Sequence, residues 1–123
     1  MLRKLKTSEI AQARTEILEA QGGVCPLCVE PIAKPALDHD HSKGHVRGVL
    51  CLNCNQMEGR IRGYGVRARR HLTYLGWLKN LYDYLVKHEE CQTGLIHPLH
   101  KTPEEKKEAA AKKRARKKAL CLK

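Results

Sequence analysis

No apolar run in this sequence approaches the roughly 20 residues that a helix needs to cross a bilayer. Nor does a charged n-region with an apolar stretch behind it open the chain, since residues 1–21 mix charges throughout. Neither a membrane span nor a secretory leader is therefore expected. The six cysteines read as thiols of a reduced, cytoplasmic protein and not as a disulfide framework. Acids are scarce too, 13 against 24 Lys and Arg, which leaves a formal net charge of +11. That excess excludes little by itself but favours a polyanionic partner, with nucleic acid first. A chain of 123 residues buries only a modest fraction of its surface, so a staple beyond the apolar core is expected.

The staple is visible in residues 25–55. Two Cys-x-x-Cys pairs, Cys25/Cys28 and Cys51/Cys54, are separated by residues 29–50, close to the usual spacing of a four-thiolate zinc site. Four thiolates close a tetrahedral sphere and leave no position for a reacting water, so this zinc is expected to be structural. Cys91 and Cys121 have no neighbouring pair and read as incidental.

Between the pairs stands Asp38-His39-Asp40-His41. On a strand, alternate residues face the same way, which sets the two aspartates on one side and the two histidines on the other unless a bulge re-aims one. A hydrophilic turn is the plainer reading. Yet carboxylate and amide oxygens suit magnesium or manganese, and an imidazole beside such an ion can deprotonate water. Asp38 and Asn55 would supply the oxygens and His39 the base.

Apolar periodicity gives a helix over 7–21, capped by Thr7 or Ser8 and ended by Gly22-Gly23. Short strands over 36–40 and 46–50 flank a turn near Gly44. A helix over 51–62 follows, ending at Gly63-Tyr64-Gly65. A long helix over 66–88 carries an apolar stripe of Leu72, Leu75, Leu78, Tyr82 and Leu85, widened by Tyr74, Trp77, Leu81 and Tyr84. So wide a stripe needs cover on two sides, either from a second copy of the chain or from the first helix and the zinc module. Thr102-Pro103-Glu104-Glu105 then starts a basic helix or disordered arm that would contact phosphates.

Of the net charge, +7 lies in residues 101–123, with ten Lys and Arg against three Glu. Arg60, Arg62, Arg67, Arg69 and Arg70 form a second run with no acid before Asp83. A charge run is often only a solvated face, but this one directly follows the acid-histidine cluster and is read, with Arg47, as contacting DNA phosphates.

The order CPLC, LDHDH, VRGVLCLNCN, MEG, YLGWLKNLYDYL and IHP resembles the phage recombination endonuclease VII family, a branch of the His-Me finger (HNH, ββα-metal) nucleases, over about residues 22–100. The resemblance implies a mostly α fold around a small zinc-stapled ββα-metal module, with long helices that intertwine two subunits into a homodimer. It implies structural zinc on Cys25, Cys28, Cys51 and Cys54, catalytic magnesium or manganese on Asp38 and Asn55, and His39 as general base. By the same resemblance His41 contacts the scissile phosphate or leaving group, and Glu58 is a glutamate that dimerisation brings toward the active site. Family members cleave branched DNA such as Holliday junctions by paired nicks, and no organic cofactor is implied. If phage-encoded, the protein would work in host cytoplasm. The domains expected are 1–65 for the first helix and nuclease module, 66–100 for the dimerisation helix and loop, and 101–123 for the basic helix or arm. Three rivals remain: a less selective HNH nicking endonuclease, a non-catalytic zinc-stapled nucleic-acid-binding protein, and a phage regulator that binds a host protein through its long helices.

Overall fold

The computed structural model describes residues 2–122. It divides into two compact units, Met1–Tyr82 and Asp83–Lys123. The first begins with a short 3-10 turn at Thr7–Glu9 that leads into α1 (Ile10–Ala20). Contrary to expectation, neither Thr7 nor Ser8 caps this turn. Glu9 closes it instead, its carboxylate accepting from the Lys6 N–H at 2.7 Å and from Arg3 at 3.0 Å. Gly22 and Gly23, at φ +74° and +72°, end α1 as expected, with the Gly23 N–H returning to the Leu18 carbonyl at 2.9 Å.

Strands β1 (Pro35–His39) and β2 (Val46–Cys51) form one antiparallel hairpin, packed between α1 and α2 (Leu52–Ala68). Val49 and Leu50 of the hairpin are buried together with Cys25 of the first knuckle, and Asp38 is the hairpin's buried polar residue. Gln21 secures the outer edge of β2: its side chain donates to the Val49 carbonyl at 2.8 Å and accepts the Val49 N–H at 2.7 Å. Both backbone groups of that edge residue are thus satisfied without a third strand.

Two helix boundaries depart from the sequence reading. α2 does not stop at Gly63 but continues through Tyr64 and Gly65 to Ala68. A Cβ at Gly65 would collide with the Tyr74 ring and stand 3.2 Å from Trp77 Cζ3. Gly65 is therefore where two aromatic rings lie against the backbone of α2, which removes the need to end the helix there. The expected single helix over 66–88 is interrupted. Arg70 adopts φ +51°, Arg69 Nη1 donates to the Leu72 carbonyl at 2.8 Å, and Thr73 Oγ1 accepts from the Gly76 N–H at 3.0 Å as α3 (Tyr74–Lys87) begins. On α3, Trp77, Leu78 and Leu81 are half-buried while Leu75, Tyr82 and Leu85 stay exposed.

The second unit holds the end of α3 and α4 (Pro103–Cys121). Thr102 caps α4 as expected, Glu105 returns the bond to the Thr102 N–H, and the residues of α4 are exposed along its length. No helix among the described residues is long and apolar enough to cross a membrane.

Candidate active site and zinc centre

The zinc centre is assembled by the chain's two knuckles. Cys25 and Cys28 lie in a turn tightened by the Val29 N–H donating to the Cys25 carbonyl at 2.9 Å, with Val29 itself at φ +60°. Cys51 closes β2 and serves as N-cap of α2, accepting the Cys54 N–H on Sγ at 3.4 Å. The four sulfurs lie within 4.8 Å of one another, and Cys28 and Cys51 are 3.9 Å apart. Tetrahedral zinc with Zn–S bonds of about 2.3 Å sets sulfurs about 3.8 Å apart. The cluster therefore fits that ion.

The protonation of these thiols agrees. Hydrogen bonding with Cys51, then burial and the neighbouring Cys28 and Cys25, push the Cys54 thiol up to about 12. Burial also works to raise Cys25, but the backbone N–H groups of Cys28, Cys51 and Leu27 overcome it and bring that thiol down to about 6. Zinc binding would require all four thiols to ionise together. Cys91 and Cys121 are exposed free thiols outside this group.

The hairpin carries the acid-histidine run, and the structure divides it. Asp38 pairs with Gly48 but His39 pairs with Val46, so Arg47 is an extra residue in β2, a bulge. The bulge aims Arg47 at two acids. Its Nε donates to Asp38 Oδ2 at 2.7 Å and its Nη2 to Asp38 Oδ1 at 2.9 Å, while Nη2 also lies 3.1 Å from Glu58 Oε1 on α2. Asp38 is only 7% exposed, and this guanidinium compensates its buried charge.

His39 faces elsewhere. With Leu37, Ile10 and Ile17 it lines an open groove of about 800 Å³ on the α1 side of the hairpin, and its ring lies 5.0 Å from that of His41. Asp40 has left the strand. Its carboxylate accepts the Ser42 and Lys43 N–H groups at 2.8 and 2.7 Å, and these bonds, Lys43 first, hold its pKa below the usual carboxylate value. Part of the run is thus a hairpin turn of the Asx type.

Asn55 is half-buried in the first turn of α2, one residue beyond the zinc ligand Cys54. Asp38 and Asn55 fit a hard divalent cation by donor type, a nearly buried carboxylate and an amide oxygen on rigid elements. Asp38, Arg47 and Glu58 are gathered within one chain, so Glu58 needs no second subunit to stand beside Arg47.

The arginines separate by role. Arg47 is committed to carboxylates, Arg69 to the turn after α2, and Arg67 lies over the Tyr64 ring at 5.1 Å. Arg62 donates to Ser42 Oγ at 3.3 Å, and Arg60 and Arg70 are exposed. Sequence reasoning overlooked the role of Gln21 and read Tyr74 only as part of an apolar stripe, because the importance of each depends on what the fold brings against it.

A zinc-fitting knuckle pair that staples a two-stranded hairpin to the start of a helix, with acids and histidines on the hairpin, defines a zinc-stapled ββα module. The family model described as recombination endonuclease VII matches residues 1–87, and the chain belongs to that family. The chain is also similar to the Gene 59 proteins of Mycobacterium phages L5 and D29. It is 46% identical to the first over 44 residues, covering 33% of this chain and 27% of that protein. To the second it is 46% identical over 43 residues, covering 32% and 26%. The match thus spans about a quarter of those phage relatives.

Proposed function

We propose that this protein is a metal-dependent DNA endonuclease that makes paired nicks in branched or distorted duplexes. The observation that carries the reading is Asp38: a nearly buried carboxylate beside the zinc staple, gathered with Glu58 around one guanidinium. Burying a charge is costly even when a guanidinium compensates it, and paired carboxylates around one cation are a common feature of functional sites.

In this reading His39, which borders the α1-side groove in the free chain, turns to the Asp38 side when DNA binds and removes a proton from water, which attacks the backbone phosphorus in line with the departing 3′ oxygen and leaves a 5′-phosphate. His41, its ring tilted 37° to that of His39, contacts the scissile phosphate or the leaving group. The magnesium or manganese ion that Asp38 and Asn55 would hold supplies stabilisation of the negative charge developing on the phosphate. Exposed Arg60 and Arg70, with Arg62, Arg67 and Arg69 nearby in sequence, contact flanking phosphates. The exposed apolar residues Leu75, Tyr82 and Leu85 support pairing of α3 with a second copy, which would supply the second nick.

The test compares magnesium-dependent nicking of a four-way junction with that of a linear duplex of the same arms. Faster junction cleavage by wild type, abolished in His39→Ala with zinc content and DNA binding retained, is expected. Equal rates would reduce the reading to an unselective nicking enzyme, and absence of metal-dependent nicking would leave a DNA-binding protein.

A further inference from the structure

Arg47 stands where a catalytic cation would act. Both oxygens of Asp38 accept from its guanidinium, and the same Nη2 reaches Glu58. A divalent ion on Asp38 would meet a fixed positive charge within contact distance, and like charges so close in a partly buried site repel strongly. One of the two must yield. Arg47 has a way out, because its side chain is 32% exposed against 9% for Asp38, and it sits on a bulge with no ladder partner to hold it. It also has a destination, since a guanidinium binds a phosphate in the same bidentate manner as a carboxylate.

We propose that Arg47 is a positioning residue that neutralises Asp38 in the free chain and passes to a DNA phosphate when the divalent ion arrives, so that metal and DNA tighten each other's binding. The inference rests on the nuclease reading above. Its thermodynamic content is a coupling carried by one side chain: whichever ligand draws Arg47 away from Asp38 favours the other, reciprocally. In the absence of DNA, Arg47 guards the site against a loosely held ion and keeps the buried acids satisfied.

The test measures Mn²⁺ affinity by electron paramagnetic resonance on the full, zinc-loaded chain. The four thiolates retain zinc in preference to manganese, which keeps the two sites separate. Without DNA, Arg47→Gln should bind Mn²⁺ about tenfold more tightly than wild type. Adding a four-way junction in the His39→Ala background should tighten Mn²⁺ binding about tenfold, and this gain should shrink when Arg47→Gln is added. An Arg47→Gln chain that keeps its zinc but binds Mn²⁺ no better than wild type overturns the proposal.

Should Arg47→Gln fail to fold, the unaltered chain still decides the matter. Mg²⁺ that shifts the Asp38 carboxyl resonance should move the Arg47 Nε–H resonance as well, and an unmoved Arg47 signal overturns the competition. Nicking is scored separately. Competition without nicking would defeat the nuclease reading while upholding the role of Arg47, and nicking without competition would do the reverse.

Discussion

The Arg47 guanidinium forks onto the Asp38 carboxylate across the one irregular step of the hairpin, through bonds of 2.7 and 2.9 Å. Asp38 is nearly buried and Arg47 about one-third exposed, so most of the penalty of breaking the pair falls on the aspartate. Arg47→Ala is predicted to destabilise the zinc-loaded chain by about 3 kcal/mol, the lower end of the range for stranding a buried charge. Adding Asp38→Asn should recover part of that loss. Urea unfolding of both single variants and the double variant measures it, and strictly additive losses would mean the fork carries no coupling.

The zinc centre predicts a sharp contrast among cysteines. Cys25 is fully buried within the four-sulfur cluster, whereas Cys91 is exposed. Cys25→Ser should lose the ion, and with it the hairpin, because metal binding and folding are one equilibrium in so small a module. Cys91→Ser should keep one zinc per chain. A strong chelator should melt wild type to the state of Cys25→Ser. Elemental analysis with circular dichroism reads both effects, and a zinc-free chain with a native spectrum would contradict the staple.

Two glycines of α2 should respond with opposite signs. A Cβ at Gly63 meets nothing within 4 Å, so Gly63→Ala should stabilise by about 0.5–1 kcal/mol through helix propensity. Gly65→Ala has the same propensity in its favour but drives a methyl group into the Tyr74 ring, and overpacking of that kind costs about 1–3 kcal/mol. The clash outweighs the propensity, and a net loss is predicted. Thermal melts of the two variants decide, and stabilisation by both would show that the aromatic packing on α2 yields freely.

The exposed basic helix α4 should act through charge. Residues 101–123 hold ten Lys and Arg against three Glu, and a chain cut after His100 should bind DNA more weakly at low salt. Its plot of log affinity against log salt should be shallower by about 0.9 for each phosphate that the shortened chain no longer neutralises. Fluorescence anisotropy across a salt series is the measurement, and an unchanged slope would leave α4 without a role in DNA binding.

Much of this could be read directly from residue order. The two Cys-x-x-Cys pairs gave the zinc ligands, since coordination chemistry fixes both residue type and spacing. The hairpin followed from Gly44 between two apolar segments, and the start of α4 followed from Thr102-Pro103-Glu104-Glu105, because turns and caps are local. Where local signals competed with packing, the reading failed. Gly63-Tyr64-Gly65 resembles a helix end until the rings of Tyr74 and Trp77 are seen against Gly65. The stripe over 66–88 resembles one helix until Arg70 turns left-handed and Thr73 begins another.

For the site itself, the sequence determined which chemical groups are present: four thiols with zinc-site spacing, a carboxylate at Asp38, an amide at Asn55 and an imidazole at His39. Only the tertiary structure decided how they are allotted. It sent Asp40 to the turn, His39 to the α1 side and Asp38 inward, and it set Arg47, expected to clamp a phosphate, against Asp38 and Glu58 in the free chain. The reason lies in the register of the hairpin. One extra residue in β2 rotates the side chain of Arg47 toward α2, and a bulge follows from how two strands meet across a turn, which the order of residues in either strand does not specify.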